Sequence, residues 1–244
     1  MCYNYLTRFF IMLIYNIFPT TVYVGEIENH EQHKNNFYRL YPKYDYDQVT
    51  VRNGKTYSNT ISENSGNPLI HLEDSLEELF EQVIINVKTY VLDVLKYQDI
   101  FDYVITKTWL SRSRAYHEEI PWHYHSTSHI SFTYYLNMPP NSHSIKFKNP
   151  TITNNFFEGL GSSSYKDGVE ERNNMNATTF FITPKEGSII LFPSSLQHCT
   201  EHTSKEFDGE RLAIVGDITL VYKEDSSNDY SMGYINPKYW RIFK

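Results

Sequence analysis

Of the ten histidines in this 244-residue chain, two, His123 and His125, are separated by a single residue. On an extended chain residues i and i+2 point to the same face, so the pair can present two imidazoles to one metal ion. A third ligand has to come from elsewhere in the fold. His198 is the candidate: it follows Glu186-Gly187-Ser188-Ile189-Ile190-Leu191-Phe192-Pro193, which reads as a turn, an apolar strand and a proline-marked exit. Neutral imidazole suits iron, zinc, nickel and copper alike. The bland alternative is a set of ordinary surface histidines, and a lone His-x-His is a weak signal; the strand context and the distal histidine strengthen it. His129, four beyond His125 and on the same face, is a reserve ligand. His143 and His202 read as having no direct role. Cys199, beside His198, reads as a small buried thiol pointing away from the metal.

These side chains need a rigid scaffold, and the apolar periodicity supplies one. Residues 17–27 alternate as a strand. Leu76, Leu79, Phe80, Val83, Ile84, Val87, Val91, Val94 and Leu95 follow helical spacing, with Ser75 and Glu78 as a capping box at the start. Beyond Tyr97 the pattern turns to strands over Tyr103–Leu110, His129–Asn137, Ser144–Phe147, Thr178–Thr183, Ser188–Phe192 and Leu212–Tyr222. Residues 28–70 are polar, with turn signals at Asn53-Gly54 and Gly66-Asn67-Pro68. The stretch 150–177, rich in Asn, Gly and Ser, is a loop and a candidate lid.

Composition excludes several classes. Lys and Arg number 22 against 29 Asp and Glu, a net charge of −7, so no basic excess exists to displace counterions from nucleic acid. The 21 Tyr, 15 Phe and 3 Trp are too many for disorder and favour strands. Two cysteines, Cys2 and Cys199, build no disulfide framework, and a cytoplasmic, reducing compartment is the simplest reading. The apolar run Phe9–Ile14 is far shorter than the roughly 18–20 residues of a spanning helix, and a poor cleavage site follows it, so no membrane association is expected. A translation start at Met12 is another reading of this stretch.

With these residues in view, the chain resembles the iron(II)/2-oxoglutarate-dependent oxygenases, a family built on a double-stranded β-helix. Pro121-Trp122-His123-Tyr124-His125 stands where the family has His-x-Asp/Glu. Phe132-Thr133-Tyr134-Tyr135-Leu136-Asn137 is similar to the Tyr-Leu-Asn strand of its prolyl-hydroxylase branch. The third segment runs from Pro184-Lys185-Glu186-Gly187 through His198 to Arg211. The likeness is greatest to a poorly characterised bacterial and phage-type group with an Ile-Phe-Pro-Thr strand, here Ile17-Phe18-Pro19-Thr20. It covers about residues 16–222.

The resemblance implies a mainly β fold: a double-stranded β-helix (a jelly-roll, cupin-like barrel) with a long packing helix. It implies residues 1–15 as an N-terminal extension, 16–222 as the oxygenase-like domain and 223–244 as a tail through which the chain could oligomerise. It implies Fe(II) held by His123, His125 and His198, and 2-oxoglutarate as cosubstrate. Arg211 and Tyr135 would receive the distal carboxylate, since a guanidinium pairs with a carboxylate in two-pronged fashion. The implied activity is a dioxygenase that hydroxylates a protein side chain or a small metabolite.

One departure stands out. His125 occupies the place of a carboxylate, leaving the ferrous site one unit more positive. The alternatives are that His125 ligates, or that the position stays open, with Glu118, Glu119 and Asp217 as the nearest carboxylates. Two rival functions remain: a cupin-type metal enzyme that does not use 2-oxoglutarate, and a non-catalytic barrel. Arg211 favours the oxygenase, because cupins do not need it.

Overall fold

The computed structural model describes residues 19–43, 47–50, 56–59, 69–113, 119–150, 171, 173–201, 207–223 and 241. Expectations for the N-terminal extension, for most of the 150–177 loop, for the tail beyond Lys223 other than Arg241, and for Glu118 and His202 fall outside these residues.

The elements run β1 (Tyr23–Glu26), α1 (His30–Leu40), β2 (Asp47–Thr50), β3 (Thr56–Asn59), α2 (Glu77–Lys88), β4 (Phe101–Ser113), β5 (Ile130–Asn137), β6 (Ser144–Lys148), β7 (Thr179–Ile182), β8 (Ser188–Pro193), β9 (His198–Glu201) and β10 (Arg211–Tyr222). A seven-stranded sheet has the order β1-β8-β5-β10-β4-β3-β2, and a three-stranded sheet the order β7-β6-β9. Every strand pair in both sheets is antiparallel. This is the mainly β, double-stranded β-helix architecture.

Two cores follow from strand alternation. On β5, Phe132, Tyr134 and Leu136 face outward from the barrel and join Leu79, Val83, Val87, Tyr90 and Val91 of the helical segment. Burying each such side chain contributes about 1.5–3 kcal/mol, and this layer fastens the helices to the large sheet. The opposite face of β5 carries Ser131, Thr133 and Tyr135. Tyr135 belongs to a second core with Ile145, Phe147, Ile190, Phe192 and Ala213, drawn from both sheets. That second core is the barrel interior.

The helix departs from expectation at both ends. No capping box forms: a 3-10 turn over Asp74–Leu76 leads in, and Leu76 sits at the cap position without a side-chain hydrogen bond. Beyond Lys88 the chain widens into a π-helical stretch, Thr89–Val94. Helix α1 was not expected from the sequence. Its fully buried side chains are only His33 and Phe37, one of them polar, with Leu40 partly buried beside them, so its apolar stripe is short.

Strand β4 contains a break in phase. Its register with β10 slips between Asp217 and Ile218: Asp217 pairs with Lys107, but Ile218 pairs with Ile105. Thr106 is the extra residue, and its hydroxyl donates to the Asp217 carbonyl at 3.2 Å. Such a bulge switches which alternate residues face which side. Tyr103 and Ile105 therefore share the helix-facing core with Leu110, despite their odd spacing.

Candidate metal centre and anion pocket

Strand β10 sets the site out in layers. Arg211, Ala213, Val215 and Asp217 alternate onto the barrel's inner face. Asp217 lies opposite Ser131 and Lys107, Val215 opposite Thr133 and Trp109, Ala213 opposite Tyr135 and Ser111, and Arg211 opposite Ser113. The chain thus reads from a carboxylate at one end to a guanidinium at the other, six residues or about 20 Å of strand apart.

At the carboxylate end His123, His125 and His198 come together, each offering a ring nitrogen within 4.8 Å of the others. His123 and His125 do not lie on a continuous strand. They occupy an extended segment fixed by one antiparallel bridge, His123 to His198, and by the His125 amide, which donates to the Ser194 carbonyl at 2.8 Å. The alternation expected of a strand survives in this shorter form.

Each ring is oriented through Nδ1. His123 Nδ1 donates to the Pro121 carbonyl at 2.8 Å and His198 Nδ1 to the Leu196 carbonyl at 2.9 Å. His125 Nδ1 lies 2.5 Å from Asp217 Oδ1. A carbonyl or carboxylate can only accept, so these contacts put the proton on Nδ1 and leave Nε2 as the available lone pair on all three rings. Such outer hydrogen bonds are typical of metal-ligating histidines.

The surroundings keep the His123 and His198 rings neutral. Burial, reinforced by the neighbouring His123, pushes the His198 imidazole down to about 3. Burial also lowers His123. The His198 ring stands 4.6 Å from Phe192 and 6.3 Å from Phe147, centroid to centroid. For Asp217, burial alone would raise the carboxyl, but the hydrogen bond and charge of His125, with Lys107 and Ser131, hold it below the usual carboxylate range.

At the other end Arg211 is 2% exposed. Its Nε donates to the His143 carbonyl at 3.2 Å, and its guanidinium carbon lies 5.2 Å from the Tyr135 ring centre. Among the described residues Arg211 Nη1, Tyr135 Oη and Ser111 Oγ have no hydrogen-bond partner. Buried donors left unsatisfied cost about 1–3 kcal/mol each. Here they sit at neighbouring levels of one barrel, around the small side chain of Ala213. Burial raises the Tyr135 phenol to about 12, so it remains a donor. A buried guanidinium with an N–H to spare and two hydroxyls beside it are what a carboxylate ligand would satisfy.

Other expected residues fall outside the cluster. His129 is exposed, and its Nδ1 accepts from the Leu220 amide at 2.9 Å, so it is tied to β10. His143 is fully buried with its ring edge-on to Phe207. Trp109 is buried with its ring centre 5.4 Å from that of His125, whereas Trp122 is 44% exposed. Cys199 is buried, and burial raises its thiol to about 11. A second group, His30, Glu31 and Glu186, also has metal-compatible spacing, but Lys34 Nζ lies 2.5 Å from Glu186 and His30 Nδ1 is 2.7 Å from Tyr134 Oη. It is an anchor between α1 and the barrel. Sequence reasoning left Asp217 as one of three nearby carboxylates; its alternation with Arg211 along one strand was the signal that could have singled it out.

Residues 107–217 match the 2OG-Fe(II) oxygenase family model, a span that contains all three clustered histidines, Tyr135 and Arg211. No curated protein matches the chain. Among solved structures, the non-heme alpha ketoglutarate dependent epimerase SnoN from nogalamycin biosynthesis is similar, with a TM-score of 0.54 at 10% identity over 84% of this chain and 81% of that one. SnoN in complex with Fe3+, alpha ketoglutarate and nogalamycin RO gives 0.54 at 9% identity over 92% and 89%. The carbocyclase SnoK from the same biosynthesis gives 0.54 at 8% identity over 84% and 82%. At these identities the likeness is one of fold. Residues 107–217 carry the match to the 2OG-Fe(II) oxygenase family model, and the fold around them is the one these solved structures share.

Proposed function

We propose that this protein is a non-haem iron(II)/2-oxoglutarate-dependent oxygenase acting on a small molecule or a peptide side chain, with hydroxylation as the default outcome. The observation that carries the reading is the pairing of two unfinished polar sites in one barrel. Three imidazoles converge at one end, and a buried guanidinium with an unpartnered N–H waits at the other. A metal alone would use only the first; a dicarboxylate cosubstrate chelating the metal uses both.

His123, His125 and His198 would hold the iron. Arg211 and Tyr135 would receive the distal carboxylate, the guanidinium through its free Nη1 and the phenol through its hydroxyl. Iron(II) with 2-oxoglutarate and oxygen supplies the oxidising chemistry. The chain's own part is positional: two rings set by backbone carbonyls and one by the Asp217 carboxylate, and a low-polarity wall of Val215, Ile190 and Phe192 that keeps water from the space between the two ends.

The test is anaerobic reconstitution with ferrous iron followed by 2-oxoglutarate, watching for a metal-to-ligand charge-transfer band. The band is expected in the native protein and absent in His198→Ala and Arg211→Ala. Iron uptake with no response to 2-oxoglutarate in the native protein would favour the cupin-type reading, to which the third histidine, His125, lends support. No iron uptake by a folded protein would favour a non-catalytic barrel.

A further inference from the structure

The three histidines are not equivalent. His123 and His198 lean on backbone carbonyls, whereas His125, which stands where the resemblance calls for a carboxylate, has a carboxylate behind it. We propose that Asp217 supplies from outside the ligand set the negative charge that His125 lacks as a ligand, acting through the imidazole as a positioning residue; this rests on the metal-site reading above.

The geometry argues for a dedicated role. Asp217 is fully buried on the inner face of β10. Its Oδ1 takes His125 Nδ1 at 2.5 Å and the Ser131 hydroxyl at 2.9 Å, and its Oδ2 stands 2.9 Å from Lys107 Nζ. It meets the ring at Nδ1 and leaves Nε2 for a metal, so it stands behind the ligand and is not one itself. A hydroxyl chain aims at it: Ser128 Oγ donates to Ser194 Oγ at 2.8 Å, which lies 2.9 Å from Ser131 Oγ, and Ser131 donates to Asp217. Donors that end on an anion polarise one another toward it. A buried carboxylate is costly unless paired, and this one is paired with the imidazole that needs it.

A carboxylate behind a ligating imidazole fixes its tautomer and raises its basicity, and losing it typically lowers metal affinity 10–100-fold. The pair His125–Asp217 then carries the charge that one ligating Asp would carry alone. Lys107 tempers this by sharing Oδ2 from the solvent side, with its own side chain over Trp109 at 5.2 Å.

The experiment uses the full chain, ferrous iron titrated anaerobically against a competing chelator, and the Fe(III)/Fe(II) potential of the loaded protein. Asp217→Asn is expected to weaken iron binding by about 10–100-fold and to raise the potential. Adding His125→Asp to Asp217→Asn should restore affinity, because the charge returns as a ligand. His125→Asp alone should not, because it sets two carboxylates against each other. A merely structural Asp217 predicts no such rescue. If Asp217→Asn fails to fold, Lys107→Met carries the test: freeing Oδ2 of the ammonium should lower the potential. Unchanged affinity and potential in Asp217→Asn, a double variant no tighter than Asp217→Asn, or an unmoved potential in Lys107→Met overturns the proposal while leaving the metal site intact. A native protein that takes up no iron overturns both.

Discussion

His123 and His198 exchange both backbone hydrogen bonds: the His123 amide donates to the His198 carbonyl at 3.0 Å, and the His198 amide to the His123 carbonyl at 2.9 Å. Their ring centres lie 4.2 Å apart as a result. Two of the three candidate ligands are therefore held by main chain alone, and either side chain can be changed without releasing the segments that bear them.

The metal-free protein should lose stability in acid. An unfolded histidine titrates near 6.5, while folded His198 is held down to about 3. Between those values the unfolded chain binds a proton that the native chain does not, so stability rises with pH. From this residue alone the native state loses up to about 1.4 kcal/mol per pH unit as pH falls through that window, and His123 shifts in the same direction. Denaturant titrations of chelator-treated protein at pH 7, 6 and 5 should show the slope, and His198→Gln should flatten it. A slope unaffected by that substitution would contradict the assignment.

Arg211→Met should separate stability from cosubstrate binding. The guanidinium is buried with Nη1 unpartnered, and replacing such a charge by an apolar side chain of similar volume is often neutral or stabilising. The apo protein should unfold at an equal or higher temperature, and iron affinity should hold. Losing one partner of a buried charge pair costs about 2–5 kcal/mol, so 2-oxoglutarate affinity should drop at least about thirtyfold. Tyr135→Phe, which removes one neutral donor, should cost only about two- to tenfold. Calorimetric titration into iron-loaded, oxygen-free protein distinguishes the two.

Gly216→Ala should destabilise the barrel. A Cβ there would lie 2.4 Å from Phe132 Cε1 and 2.8 Å from Thr108 Cγ2. Phe132 is fully buried and cannot swing aside. Overpacking of this kind costs about 1–3 kcal/mol, and it sits next to Asp217. Chemical denaturation of the apo protein measures the loss; a change within experimental scatter would mean that the strand relaxes easily.

Cys199 should resist alkylation in the native state at pH 8. Its thiol is buried and raised to about 11, and the thiolate is the reactive form. Mass spectrometry of the Cys199 peptide after iodoacetamide treatment should find it unmodified until denaturant is added.

Much of this could be read from residue types and spacing. The His-x-His pair and the distal His198 stood out because two-residue alternation survives even in an extended segment with one bridge. Parity alone separates Tyr135 from Tyr134, which the structure puts on opposite faces of β5, one in each core. Less legible were features where local pattern and tertiary need diverge. Helix α1 fully buries only His33 and Phe37, too little periodicity to announce itself. Strand β9, four residues long and carrying His198, Cys199 and Thr200, is held by pairing with β6 and not by apolar alternation. The bulge at Thr106 reverses parity inside β4, so no fixed alternation reads the whole strand correctly. The Asp217–His125 contact joins residues 92 apart in sequence, and neither one announces the other.

Because Arg211 and Asp217 share one strand, the span between the two ends of the pocket is a property of extended backbone and not of how two elements happen to pack. It behaves as a ruler with coarse graduations. Inward-facing positions recur only every two residues, about 7 Å, so shifting the cation by one such step would overshoot any small change in the length of the diacid. On the proposed reading, fine adjustment of chain-length selectivity falls to the side chain at position 211 and to the hydroxyls around it, while the backbone fixes the scale.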